Sequence, residues 1–209
     1  MQVEELNKKE EILNTATALF MKNGVQSVTM DELAIELQMS KKTIYKFFSD
    51  KRSLVDGCMK SHFGKHQTAV RGILAKNLNV IDEMFAIGEF VNVELRAVNP
   101  VVFADLNRFY PEAFRSFLRF KNDFILEVIR QNLKRGVADQ WYRSALNIEV
   151  VARLYAGMTD LIFDDENFPS TAYDKPSLYL ELFSYHLHGI ATPRGIEYFD
   201  KTYDANIFK

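Results

Sequence analysis

Cysteine is nearly missing from this 209-residue chain, and the single Cys58 excludes an intramolecular disulfide and any multi-cysteine zinc site. Glycine (9) and proline (5) are scarce and scattered, which excludes collagen-like and low-complexity sequences. No apolar run approaches the roughly 18 residues of a membrane span. The opening MQVEELNKKEE is too charged for a secretory signal, so a soluble, cytoplasmic protein with no membrane partner is expected. A charge excess is lacking too. Lys and Arg number 26 against 28 Asp and Glu, a net −2, so no bulk field draws the whole molecule onto nucleic acid. Any such binding must come from a local patch. Strict apolar–polar alternation is absent, which argues against a sheet. The sequence also lacks Gly-x-Ser-x-Gly, Gly-x-x-x-x-Gly-Lys and Gly-x-Gly-x-x-Gly, so no catalytic residue, no cofactor and no enzyme activity are expected.

What the chain has is helical periodicity. Ile12, Leu13, Ala16, Leu19 and Phe20 share one face of a helix that Gly24 can close. Met30, Leu33, Ala34 and Leu37 repeat the pattern over a shorter span. Val80, Met84, Ile87, Val91, Leu95 and Val98 predict a long helix ending at Asn99-Pro100. From Phe114 to Leu133 apolar residues cover more than one face, which predicts a buried helix. Val151, Leu154, Tyr155, Met158, Leu161 and Ile162 mark the next, before the acidic stretch Asp164-Asp165-Glu166-Asn167. Leu178, Leu182 and Tyr185 mark the last long helix, stopped by Thr192-Pro193. The fold class is all-α.

The chemistry concentrates in Thr29–Arg52. Thr29 and Glu32 are spaced as a capping box, and the short helix it starts ends near Leu37. Gln38-Met39 leaves a tight turn before Ser40, a good N-cap for a second short helix. At about 100° per residue, Ile44, Phe47 and Phe48 cluster on one side of that helix. Lys42, Tyr45 and Lys46 fall opposite, with Lys41 on the flank and Thr43 at the margin, a set suited to phosphates and base edges. Lys41, Lys42, Lys46, Lys51 and Arg52 face only one acid, Asp50, between Gln38 and Arg52. Asp50 can cap the next helix, placing Lys51 in its first turn.

This stretch resembles the DNA-binding domain of the TetR family of bacterial transcriptional regulators. The likeness rests on Ile12-Leu13, Ala16, Leu19-Phe20, Gly24, Thr29-Met30-Asp31-Glu32-Leu33-Ala34, Met39-Ser40, Thr43-Ile44-Tyr45, Phe47-Phe48 and Lys51. It is weaker through Arg135-Gly136, Asn147–Leu154 and His188–Pro193. The resemblance implies a three-helix helix-turn-helix DNA-binding domain over residues 1–52. It implies a larger helical effector-binding and dimerisation domain over 53–209, and a homodimer formed through the last two long helices. By the family's pattern Thr29, Tyr45 and Lys51 contact phosphate, while Ser40, Lys41, Lys42, Thr43 and Lys46 face the major groove, or its rim, of a double-stranded, palindromic operator. Two residues depart from that pattern. Gln38 and Lys42 stand where the family often has glycine; Gln38 requires either a different turn or a positive φ.

The remainder is rich in phenylalanine, which fills a core or lines a cavity. The resemblance favours a small-molecule effector of apolar or aromatic character, with Phe85, Phe103, Phe117, Phe124 and Met158 as candidate ligand-binding residues. His62 and His66 are four apart but lack the rest of a metal motif, so no metal is expected. The expected function is a sequence-specific transcriptional regulator, a repressor released by its ligand. The alternative is a DNA-bound, nucleoid-associated protein whose body docks a partner.

Overall fold

The computed structural model describes residues 2–203. Its helices are α1 Gln2–Asn23, α2 Met30–Glu36, α3 Lys41–Tyr45, α4 Lys51–Leu74, α5 Val80–Ala97, α6 Val101–Phe109, α7 Pro111–Arg119, α8 Leu126–Ala138, α9 Ile148–Leu161, α10 Lys175–Ile190 and α11 Pro193–Thr202. A π-helical stretch, Phe120–Ile125, joins α7 to α8. Among the described residues the β-pairing is limited to one isolated bridge between Tyr142 and Ala191, so the fold is all-α as the periodicity indicates. No helix among them is long and apolar enough to cross a membrane.

The chain forms two compact units. The first holds the residues up to Thr68 together with Ala97–Phe120. Its core joins Ile12, Ala16 and Phe20 of α1 to Leu33 of α2, Ile44 of α3 and Leu54, Val55, Cys58 and Met59 of α4. Val102 and Leu106 of α6, Tyr110, and Ala113 of α7 complete the same cluster. Burying each such side chain contributes roughly 1.5–3 kcal/mol, far more than the propensity of helices this short. Gly24 ends α1 at φ +88°, its N–H bonded to the Phe20 carbonyl at 2.9 Å. A Cβ there would meet Val101 Cγ1 at 2.6 Å, so both conformation and space require glycine. Burial pushes the Cys58 thiol up to about 12, which leaves it an inert part of this core.

The second unit holds Ala69–Arg96 and the chain from Lys121 onward. Val80, Ile81, Phe85, Leu133, Tyr142, Ala152, Phe183, Leu187 and Phe199 are buried together in it. Here α8 packs on α9, and α9 on α10. Tyr142, 1% exposed, donates to Asn132 Oδ1 at 2.9 Å and lies 3.3 Å from the Val80 carbonyl. Its ring lies against Gly136 where any side chain would project. Glu83 is also buried and accepts from Asn132 Nδ2 at 2.9 Å and from Arg135.

Some elements differ from the periodicity. The chain past Pro100 is helical again, because Pro111 suits the first position of α7 and the apolar side of α6 joins the first core. The helix read from Phe114 to Leu133 is α7 and α8 joined through the π-helical turn. α10 lies where Leu178, Leu182 and Tyr185 mark it; its most buried residues include Tyr179, Leu180, Phe183, His186, Leu187 and Ile190, while Leu178 and Leu182 are partly buried and Tyr185 is exposed. α10 ends at its C-cap Ala191, and Thr192 caps α11, its hydroxyl accepting from the Gly195 N–H at 3.2 Å.

Candidate nucleic-acid interface

Local hydrogen bonds build the interface. Thr29 Oγ1 accepts from the Glu32 N–H at 3.2 Å, and Glu32 Oε2 accepts from the Thr29 N–H at 2.7 Å. Those bonds to Thr29 hold the Glu32 carboxyl below the usual carboxylate range. After α2 the chain turns through Gln38 at φ +51°, the left-handed conformation that most non-glycine residues avoid. Of the two outcomes the sequence left open at this position, the positive φ is the one found. The Met39 N–H then bonds the Ala34 carbonyl at 3.0 Å. Ser40 Oγ accepts from the Thr43 N–H at 3.1 Å and starts α3.

The seating of α3 follows its apolar spacing. Ile44 and Phe48 are buried and Phe47 is half-buried. Lys41, Lys42, Tyr45 and Lys46 are exposed on the other side, Tyr45 at 45%, and Thr43 sits at the margin. The Ser40 and Thr43 hydroxyls bond each other at 2.8 Å. Lys41 Nζ lies 2.8 Å from Asp31 Oδ1 of α2, and that hydrogen bond raises its ammonium pKa. α3 and its N-cap thus bring together Ser40, Lys41, Lys42, Thr43, Tyr45 and Lys46.

At the start of α4, Asp50 Oδ1 accepts from the Ser53 N–H at 2.7 Å, as its position before a helix implies. Lys51 is half-buried and donates to the Gln26 carbonyl at 3.1 Å, with its ammonium 5.9 Å from the Tyr110 ring centroid. Burial lowers its pKa, while Asp105 and Glu32 act in the opposite sense. Gln26 precedes Thr29 by three residues, so Lys51 is tied to the connection that leads into α2. Sequence reasoning missed Gln26, Asp105 and Tyr110, which meet only through a fold that joins positions 79 and 84 residues apart.

The residues considered for a ligand are dispersed. Phe103 and Phe117 pack edge to face at 5.1 Å in the first unit. Phe85 is buried and stacked on Tyr203 at 3.7 Å, and Met158 borders the second core. Phe124 lines an open cleft of about 370 Å³ with Arg71, Leu74, Glu83, Val128 and Arg135. The Arg71 guanidinium stands 5.4 Å from the Phe124 ring centroid. On α4, His62 and His66 lie ring to ring at 4.1 Å, and burial lowers the His62 pKa to about 4.

A capped helix, a tight turn and a second helix with a buried apolar side and a cationic outer side are the parts of a helix-turn-helix DNA-binding protein. Residues 12–58 match the family of bacterial regulatory proteins known as the tetR family. Over those residues the chain is similar to the DNA-binding domain of that family of transcriptional regulators. It is 27% identical over 168 residues to an uncharacterized HTH-type transcriptional regulator of Bacillus subtilis (strain 168), YhgD, covering 77% of this chain and 85% of that one. Its fold is similar to that of a putative regulator from Saccharomonospora viridis solved in complex with choline, with TM-score 0.75, 14% identity and coverage of 89% and 98% of the two chains. A transcriptional regulator from Cytophaga hutchinsonii has TM-score 0.72, 17% identity and coverage of 88% and 99%.

Proposed function

We propose that the protein is a cytoplasmic, homodimeric repressor that leaves a palindromic operator when a small ligand binds. The observation that carries the reading is the outer face of α3, where Lys41, Lys42, Tyr45 and Lys46 stand exposed over a buried Ile44. Residues 1–52 act as the DNA-binding domain and 53–209 as the ligand-binding and dimerisation domain. Thr29, Tyr45 and Lys51 meet phosphate; Ser40, Lys41, Lys42, Thr43 and Lys46 face the major groove.

The dimer forms through α9 and α10, the last two long helices. The support is their apolar outer surface, with Leu154 58% and Tyr185 72% exposed and Val150 and Leu161 exposed as well. The ligand occupies the cleft beside Phe124, where Leu74 and Val128 offer apolar contact and Arg71, Arg135 and Glu83 offer polar contact. The choline seen in the Saccharomonospora viridis regulator is one compound for a first panel, alongside aromatic and lipophilic molecules. Release follows if the ligand favours the arrangement of the two heads that does not fit DNA.

Selection of bound duplexes from a random pool tests the reading. The expected product is a palindrome whose half-site centres lie about 34–36 Å apart or somewhat wider. A pool that shows no enriched sequence overturns it, and an operator complex that no panel member releases overturns the ligand step.

A further inference from the structure

Gln26, in the connection between α1 and α2, has its backbone N–H, its carbonyl and its side-chain oxygen all engaged. Its N–H donates to Asp105 Oδ2 at 2.7 Å. Its carbonyl accepts from Lys51 Nζ at 3.1 Å, and its side-chain Oε1 accepts from the Tyr110 hydroxyl at 3.2 Å. Just ahead of that connection, in the last turn of α1, the Asn99 N–H donates to the Met21 carbonyl at 2.7 Å. Asp105 lies on α6 and is only 7% exposed. A carboxylate so buried persists because a charge-assisted hydrogen bond compensates it. Here that bond goes to a backbone N–H three residues ahead of the Thr29 cap.

We propose that Asp105 is a positioning residue for DNA binding. It fixes Gln26, and Gln26 in turn fixes the Lys51 ammonium beside the N-terminus of α2. Asp105 touches no DNA, yet it sets how well Lys51 meets the duplex. The proposal rests on the phosphate-contact reading of Lys51. Two features set this arrangement apart from plain packing. The geometry runs through a hydrogen-bond acceptor, so an isosteric acceptor should preserve it. It also ends on one cation, so removing that cation should remove the effect.

Phosphate contacts do not depend on base sequence, so a mixed-sequence duplex at low salt serves as the probe. The full-length variants are Asp105→Ala, Asp105→Asn, Lys51→Ala and the double variant Asp105→Ala/Lys51→Ala, each checked by thermal melting. Asp105→Ala should weaken binding about tenfold, the scale of a lost hydrogen bond to a charged group. Asp105→Asn, which keeps an oxygen acceptor, should retain most of the affinity. Lys51→Ala should weaken binding and lower the salt slope by about one. In the Lys51→Ala background the Asp105→Ala change should then have little further effect. Additive losses beside an effective Lys51→Ala overturn the positioning role while leaving the phosphate contact intact. If Lys51→Ala changes neither affinity nor slope, the phosphate contact itself falls. Should Asp105→Ala fail to fold, a loss in Asp105→Asn as large as in Lys51→Ala, at an unchanged melting temperature, also overturns the proposal.

Discussion

The outer side of α3 and the outer sides of α9 and α10 are both uncovered, but they are built oppositely. On α3 the apolar residues are turned inward, and what faces water is lysine, serine, threonine and tyrosine. That surface is stable when bare and attractive to a polyanion. α9 and α10 bury Ala152, Tyr155, Ala156, Tyr179, Phe183 and Leu187, yet Val150, Leu154, Leu161 and Tyr185 remain outside. One exposed leucine is ordinary, whereas a group of apolar residues on packed helices favours being covered. The comparison teaches that the polarity left on an uncovered face indicates the class of its partner.

Breaking the apolar side should have the largest effect. Leu154→Glu places a charge in the proposed subunit contact and should leave monomers in sedimentation. Losing the linked second head should weaken operator binding on the order of a thousandfold. A dimer of unchanged affinity would remove α9 from the contact.

Next comes acid sensitivity beneath that face. His186 stacks on Tyr155 at 4.0 Å, and burial holds its imidazole down at about 4. Above pH 6.5 neither folded nor unfolded chain is protonated there. As pH falls from 6.5 to 4 only the unfolded chain takes up the proton, so stability is lost, by roughly 3 kcal/mol at the bottom of the window. Denaturation midpoints across that range should show the loss, and His186→Phe should reduce it, leaving the part contributed by the similarly buried His62. An unchanged slope in the variant would place the acid sensitivity elsewhere.

On the cationic side, Tyr45→Ala should reduce affinity for operator and unrelated duplexes alike, by about tenfold. A loss confined to the operator would make Tyr45 a reader of bases instead. The smallest effect is expected from Thr29→Ala, which removes the α2 cap and should lower stability by about 1 kcal/mol. Thermal melting would detect it, and an unchanged transition would mean that α2 is held by its packing alone.

Where interactions are local, the sequence made them legible. The Thr29–Glu32 box, the Ser40 and Asp50 caps and the inward side of α3 span three or four residues, and each lies as its spacing indicates. Gly24 was legible for the same reason. Gln38 was half legible, because its position announced strain but not which backbone solution would relieve it. The Asp105–Gln26 bond carried no local signal, since its partners are 79 residues apart. The phase of α10 was hidden by apolar residues on both of its sides, which periodicity alone does not rank. The cleft beside Phe124 was equally out of reach, because phenylalanine counts do not distinguish a ring that fills space from one that borders it.

Gly136 has a consequence of a different kind. Its backbone is ordinary helix, so a comparison of dihedral angles would judge alanine harmless there. Yet one methyl group would evict the Tyr142 ring, and with it the hydroxyl that joins α8 to the first turn of α5. The residue matters for the volume it leaves vacant, so damage from a swap at this spot should surface far along the chain, at Val80.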